Sequence, residues 1–359
     1  MLNFLTSLTF RLLATLIFLL AIPALPLHAN DRWPQAKPDQ ERIDGKALEV
    51  FLASLRTEPH GDLKGIVILR HGNLVAESYF NGDNADTLHD IRSATKSITA
   101  TLMGIAIDRG MVKSVDDSIA SYLPHLPRDG KEKIRIRDLL NMRSGLDAND
   151  DDPASPGNET RLDASNDWMK SVYAVPMRTL PGQQYIYVSI NAFLAGAIIE
   201  NASRMPLDKF AFQNLFSPLG IGQYQWRHVP LARTTGQGNL EITARDEAAL
   251  GQLFLDKGRY DHRQIVSSGW VEQCLASQVP ISTVDPYADF YGYMWYTKTE
   301  SVGDRSILVH FASGNGGNKF YLVPSLNLVI AITSSAYNQH YGQERSRDIL
   351  LKVLSLVRS

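Results

Sequence analysis

The strand-forming segments of this chain lie at its two ends, with a long helical and loop-rich stretch between them, and few folds accommodate that distribution. Near the start, Gly65-Ile-Val-Ile-Leu69 is a short apolar run of the kind a buried strand makes. His71-Gly72-Asn73 is a turn, and Leu74-Val75 to Tyr79-Phe80 returns, so the pair reads as a β-hairpin. Near the end, Ser306-Ile-Leu-Val-His310, Lys319-Phe-Tyr-Leu-Val323 and Leu328-Val-Ile-Ala-Ile-Thr333 are three further strands, the last two joined by the turn Pro324-Ser-Leu-Asn327. Short connections make neighbouring strands antiparallel. The expectation is an α/β (α+β) fold: one antiparallel sheet built from both termini and flanked by helices, plus an inserted helical region. The sheet region covers about 43–110 and 291–359, the helical region about 111–290, and the cleft between them is the natural place for a site.

Helical periodicity fills the rest. Ala47-Leu48, Phe51-Leu52 and Leu55 give a helix at about 44–56. From Ser93 to Arg109, Ile98, Leu102, Ile105 and Ala106 share a face, and Gly110 ends the helix. Further helices are expected at 190–202, at 245–257 (capped by Thr243, ended by Gly258), at 267–277 and from Gln343 to Val357. The polar stretch Asp147 to Asp167, with Asn149-Asp-Asp-Asp152, reads as a solvated loop in preference to a calcium site; polarity alone does not separate a lid over the cleft from an inert insertion.

Residues 1–29 differ from everything after them. Arg11 is their only formal side-chain charge, an apolar run covers Leu12 to Ile22, and Pro23 and Pro26 break it before Leu27-His28-Ala29 and the polar Asn30-Asp31-Arg32. This is the pattern of a secretory signal peptide cut after Ala29, leaving a single domain over 30–359 that is periplasmic or secreted. The competing reading is an uncleaved anchor, but the apolar run before Pro23 is shorter than the ~20 residues a spanning helix needs. With the signal removed, no stable membrane insertion is expected.

Several function classes fall away. Lys plus Arg is 36 and Asp plus Glu is 38, so a net charge of −2 offers nucleic acid no basic face. Cys274 is the one cysteine, which excludes an internal disulfide and reads as a small buried apolar residue. The 9 histidines include no His-Glu-x-x-His, and no metal or organic cofactor is called for. Gly-x-Ser-x-Gly and the glycine-rich nucleotide loops do not occur.

One chemical motif remains, Ser93-Ala94-Thr95-Lys96. A serine hydroxyl is a poor nucleophile at neutral pH and needs a base. At i and i+3 on a helix the two side chains share a face. Burial disfavours an ammonium, so a lysine in a cleft is expected to lose its proton readily and accept one from the serine. A serine in the first helical turn also has free N–H groups beside it for a developing oxyanion.

The segment Asp90-Ile-Arg-Ser-Ala-Thr-Lys-Ser-Ile-Thr99 resembles the serine β-lactamase and penicillin-binding-protein superfamily, in its class C-like hydrolase branch. Val115–Pro124, Ile134–Leu146, Pro181–Ser189 with Leu194–Glu200, Thr243–Asp246, Tyr291-Gly-Tyr-Met-Trp295 and Gly314-Asn-Gly-Gly-Asn318 continue the resemblance in order over roughly 45–355. The last two segments look most like the esterase and 6-aminohexanoate-dimer hydrolase members. The resemblance implies the β-lactamase/transpeptidase-like fold, with Ser93 as nucleophile, Lys96 as its partner and Tyr187 as proton shuttle between nucleophile and leaving group. A nearby ammonium stabilises a phenolate, which is the physical reason for pairing Lys96 with Tyr187. The competing reading of Tyr187 is a core tyrosine.

Two departures stand out. Ser189 occupies the position where β-lactamases have asparagine. The strand position of the family's Lys-Thr-Gly holds about Phe311-Ala312-Ser313 and then Gly314, so no cation stands where a penicillin carboxylate would bind; Arg161 or Arg233 could supply one from elsewhere. His310 should face away from Phe311 on an alternating strand. Gly314 or Asn315 would give the second oxyanion N–H beside that of Ser93. The expected substrate is a small carboxylic ester or amide. The alternatives are a β-lactamase or D-alanyl-peptide carboxypeptidase and, from another class, an inactive binding or scaffold protein of the same fold.

Overall fold

The computed structural model describes residues 32–230 and 233–358; the signal read over 1–29 lies outside them. Eight strands make one antiparallel sheet: β1 (Leu63–Arg70), β2 (Asn73–Tyr79), β3 (Val279–Pro280), β4 (Phe290–Gly292), β5 (Trp295–Val302), β6 (Arg305–Gly314), β7 (Asn318–Val323) and β8 (Leu328–Ser334). Their order is β3-β4-β5-β6-β7-β8-β1-β2, so the N-terminal hairpin joins the C-terminal strands through β1 and β8. Ile66 stands opposite Ile332 and Ile68 opposite Ile330. Strands β7 and β8 are buried along their whole length, which is why their sequences run apolar without alternating.

The periodicity gave no strand at 295–302, yet β5 is there, and β3 and β4 extend the sheet beyond it. Thr297, Lys298, Thr299 and Glu300 interrupt the apolar alternation that marks a strand. Their polar groups are matched inside the fold instead: Thr297 Oγ1 lies 2.9 Å from His310 Nδ1, and Glu300 takes a bidentate Arg347 at 2.8 Å.

Helices cover both faces. In α1 (Gly45–Ser54) the Asp44 carboxylate accepts from Ala47 N–H at 3.0 Å and caps the first turn. The helix α2 (Thr95–Asp108) is buried from Thr95 through Ala106, packed between the sheet and α3 (Ser189–Ser203). Gly104 allows the close approach of Trp270, since a Cβ there would stand 2.3 Å from the indole ring. Thr243 caps α4 (Ala244–Leu255), and α5 (Ser268–Leu275) carries Trp270. On β7, Leu322 meets Gly251 of α4, while its neighbour Tyr321 lines a small cavity with Leu350 of α6 (His340–Leu356), so α4 and α6 lie on opposite faces.

Candidate active site

Ser93 stands in a single 3₁₀ turn, Arg92–Ala94, that runs directly into α2. It is therefore just before the helix and not in its first α-turn, as the periodicity had suggested. Arg92 holds a left-handed φ of 52°, a conformation an L-residue adopts only under constraint. Its N–H donates to Asp90 Oδ1 at 2.8 Å, and its guanidinium lies 4.0 Å from the Tyr337 ring centroid. These contacts fix the turn that presents the Ser93 hydroxyl.

Lys96 Nζ donates to Ser93 Oγ at 2.9 Å, to Ser189 Oγ at 3.1 Å and to the Gln237 carbonyl at 2.8 Å. An ammonium has three protons, and all three are placed. Nζ also lies 5.1 Å from the Tyr187 ring centroid. Ser93, Lys96, Tyr187 and Ser189 are thus brought together, from the turn before α2, from α2 itself, and from the approach to α3 and its first residue.

The expectation that burial would discharge Lys96 is corrected. Burial does pull its pKa down, but Tyr187, Glu159 and Asp150 outweigh that and hold it above the usual lysine value. The two carboxylates come from the segment read as a solvated loop. Asp150 Oδ2 accepts from Ser189 N–H at 2.6 Å, and Asp150 Oδ1 accepts from Glu159 N–H at 3.1 Å. Asn158 Nδ2 ties the segment by donating to the carbonyls of Asn149, Asp150 and Asp152 at 3.2, 2.9 and 3.1 Å. Burial raises the carboxyl pKa of both Asp150 and Glu159, and Lys96 draws each back down. Asp150 spends its oxygens on backbone N–H groups, which is a physical reason against the calcium reading.

Gly314 closes the other side. A Cβ there would stand 2.0 Å from the Ile91 carbonyl, so only glycine lets the end of β6 press against the Ser93 turn. Residues 312–314 pair with β7 but extend past the register with β5, which leaves their other backbone edge unpaired by a strand. The Asn315 side chain is engaged with Asn338, accepting from its N–H at 2.6 Å and donating to its Oδ1 at 2.8 Å. The oxyanion role expected of this segment therefore falls to a backbone N–H, of Gly314 or Asn315, and not to the Asn315 side-chain oxygen, which is an acceptor.

Phe311, Ala312 and Ser313 bring no cation, but one stands beside them. Lys319 of β7 is opposite Ser313 in the ladder, and its Nζ donates to Ser313 Oγ at 2.8 Å. The reading of a strand without a cation followed β6 alone and missed the residue across the ladder. The hairpin Gly314-Asn-Gly-Gly-Asn318 carries that signal, because pairing Gly314 with Asn318 places Lys319 opposite Ser313. Arg233 is committed elsewhere, to Glu200 at 2.7 Å. His310 turns to Thr297 while Phe311 stacks on Tyr296 at 5.2 Å, so the two do face opposite sides; burial pushes the His310 pKa down to about 4.

The β-lactamase family model matches residues 60–354. The 6-aminohexanoate-dimer hydrolase of Paenarthrobacter ureafaciens is 25% identical over 347 residues, spanning 88% of this chain and 80% of that protein. Among solved structures, the D-amino acid amidase of Ochrobactrum anthropi SV3 matches with a TM-score of 0.65 at 16% identity, over 87% of this chain and 97% of that one. A class C β-lactamase matches with a TM-score of 0.66 at 14% identity, over 91% and 99%. At these identities the two structures speak for the fold alone. The chain belongs to the β-lactamase family, and it is a serine hydrolase with that family's fold.

Proposed function

We propose that this chain hydrolyses a small carboxylic ester or amide through an acyl-enzyme on Ser93. The carrying observation is the Lys96 ammonium, 2.9 Å from Ser93 Oγ with all three of its protons placed. A lysine held charged is not the base. Tyr187, whose ring centroid lies 5.1 Å from that ammonium, relays the Ser93 proton through its side-chain oxygen as Oγ bonds to the substrate carbonyl carbon. The negative charge on the carbonyl oxygen is met by the N–H groups of Ser93 and of Gly314 or Asn315. Tyr187 then gives its proton to the departing oxygen or nitrogen, and the bond to the leaving group breaks. Water repeats the sequence on the acyl-enzyme, releasing the acid and restoring Ser93.

The relative named 6-aminohexanoate-dimer hydrolase and the fold neighbour described as an amidase support keeping amides within range. The pattern of residues 1–29 supports export to the periplasm or exterior. The test is hydrolysis of 4-nitrophenyl acetate and butyrate by the chain from Asn30 onward. Ser93→Ala should lose several orders of magnitude while folding normally; a variant that keeps a tenth of the rate contradicts the reading.

A further inference from the structure

Two backbone segments have to meet at a fixed spacing for the reaction above, the turn that carries Ser93 and the hairpin that carries Gly314 and Asn315. Each contributes one N–H to the oxyanion pair, and donors of that kind act only when they are held in place beforehand. Gly314 packs on the Ile91 carbonyl, which limits how near the two segments come; packing alone does not stop them parting.

The link between β8 and α6 reaches both. Tyr337 O–H donates to the Asp90 carbonyl at 2.9 Å, just ahead of Ser93. The Arg92 guanidinium lies over the same ring, 4.0 Å from its centroid. One side chain therefore grips the turn at two points, around the left-handed Arg92. The same residue presses on the hairpin: a Cβ on Gly316 would stand 3.0 Å from Tyr337 N and 3.1 Å from its Cδ1. Its neighbour Asn338 completes the connection, donating its N–H to Asn315 Oδ1 at 2.6 Å and accepting from Asn315 Nδ2 at 2.8 Å. The link is itself pinned. Ala336 N–H donates to Ser334 Oγ at 3.2 Å, Tyr337 N–H to the Ser335 carbonyl at 2.7 Å and Gln339 N–H to the Ala336 carbonyl at 3.0 Å. Burial and the nearby Asp90 push the Tyr337 pKa up to about 12, so the phenol stays a donor across the range in which an ester can be assayed.

We propose that Tyr337 and Asn338 are positioning residues that brace the Ser93 turn against the 314–317 hairpin and so set the gap between the two oxyanion N–H groups. Both act through the backbone they hold. The proposal rests on the acyl-transfer reading above for what the gap receives, a carbonyl oxygen gaining charge. The ties run in series, from the turn to Tyr337, from Tyr337 to Asn338 and from Asn338 to Asn315. Cutting one loosens the gap, and cutting a second adds little.

The test uses Tyr337→Phe, which removes the bond to Asp90 and keeps the ring, and Asn315→Ala, which removes both bonds to Asn338 and keeps the Asn315 N–H. They are made singly and together. Two quantities are read, kcat/KM for phenyl acetate and the inhibition constant of phenylboronic acid. The boronic acid bonds through boron to Ser93 Oγ as the serine proton leaves, and the tetrahedral anion places a boron hydroxyl where the oxyanion stands. Each single variant should lower kcat/KM and weaken the inhibition by the same factor, about two- to tenfold, the range of a neutral hydrogen bond. The double variant should stay within about twofold of the weaker single one, because the ties form one unit. A merely structural role would reduce the folded fraction, which cuts the rate and leaves the inhibition constant where it was. An inhibition constant unmoved in both single variants, or losses that multiply in the double, overturns the brace. Should the parent bind the boronic acid without hydrolysing the ester, the acyl-transfer reading fails by itself, and calorimetric binding of the boronic acid to the same variants decides the brace. A parent that does neither overturns both.

Discussion

Asp150→Asn removes one negative charge and little volume from the segment that packs on Lys96. The carboxylate accepts from Ser189 N–H at 2.6 Å, and Ser189 Oγ accepts from Lys96 Nζ at 3.1 Å. Those linked contacts bring the carboxylate close to the ammonium, and at an effective dielectric of ~20 a pair of unit charges a few ångströms apart is worth about 2–4 kcal/mol. The sign is fixed by what is lost. The folded lysine is held above its usual value partly by Asp150, so without that charge it deprotonates at lower pH. Turnover that depends on the ammonium should then fall on an alkaline limb that lies at lower pH than in the parent. The assay is phenol release from phenyl acetate between pH 6 and ~10, corrected for spontaneous hydrolysis. Glu159 remains in place and keeps the shift from being larger. An alkaline limb that stays put, or moves up, would refute the claim that Asp150 keeps Lys96 charged.

Two other outcomes follow from the packing and the shared chemistry. Lys96→Ala and Tyr187→Phe should each be nearly inactive, with the double variant little worse than either single one in kcat/KM, because the pair acts as a unit; losses that add in log rate would separate their roles. Gly104→Ala should lower the thermal midpoint by several degrees, since the new Cβ would stand 2.3 Å from the Trp270 ring in a helix with no free face; differential scanning of the two proteins shows it, and an unchanged midpoint contradicts the close contact.

Much of the fold was legible because its signals are local. Apolar runs marked β1, β7 and β8, the spacing of Leu48, Phe51 and Leu52 marked α1, and the cap Thr243 with the stop at Gly258 bounded α4 to within a few residues. Strand β5 was hidden because a strand whose buried positions include Thr297 and Glu300 looks polar until their partners His310 and Arg347 are in place. The same cause hid half of the site. Asp150 and Glu159 sat in a charged run that sequence reads as solvated, and only folding shows that one carboxylate caps α3 and both face Lys96. The sequence shows the burial of Lys96 but not the anions that outweigh it, so the direction in which its pKa moves is legible only in the folded chain. Ser93 and Lys96 were found from spacing, which survives folding unchanged. Lys319 was missed because its relation to Ser313 runs across a ladder and not along a strand.

The most direct test of the account is the intact mass of the chain from Asn30 onward after brief exposure to a fluorophosphonate, followed by peptide mapping. A reactive serine in the turn that leads into α2 should take up one phosphonyl group, mapped to Ser93, and Ser93→Ala should take up none. Labelling that persists in Ser93→Ala, or that maps to another residue such as Ser189 or Ser313, would contradict the assignment of Ser93 as the nucleophile.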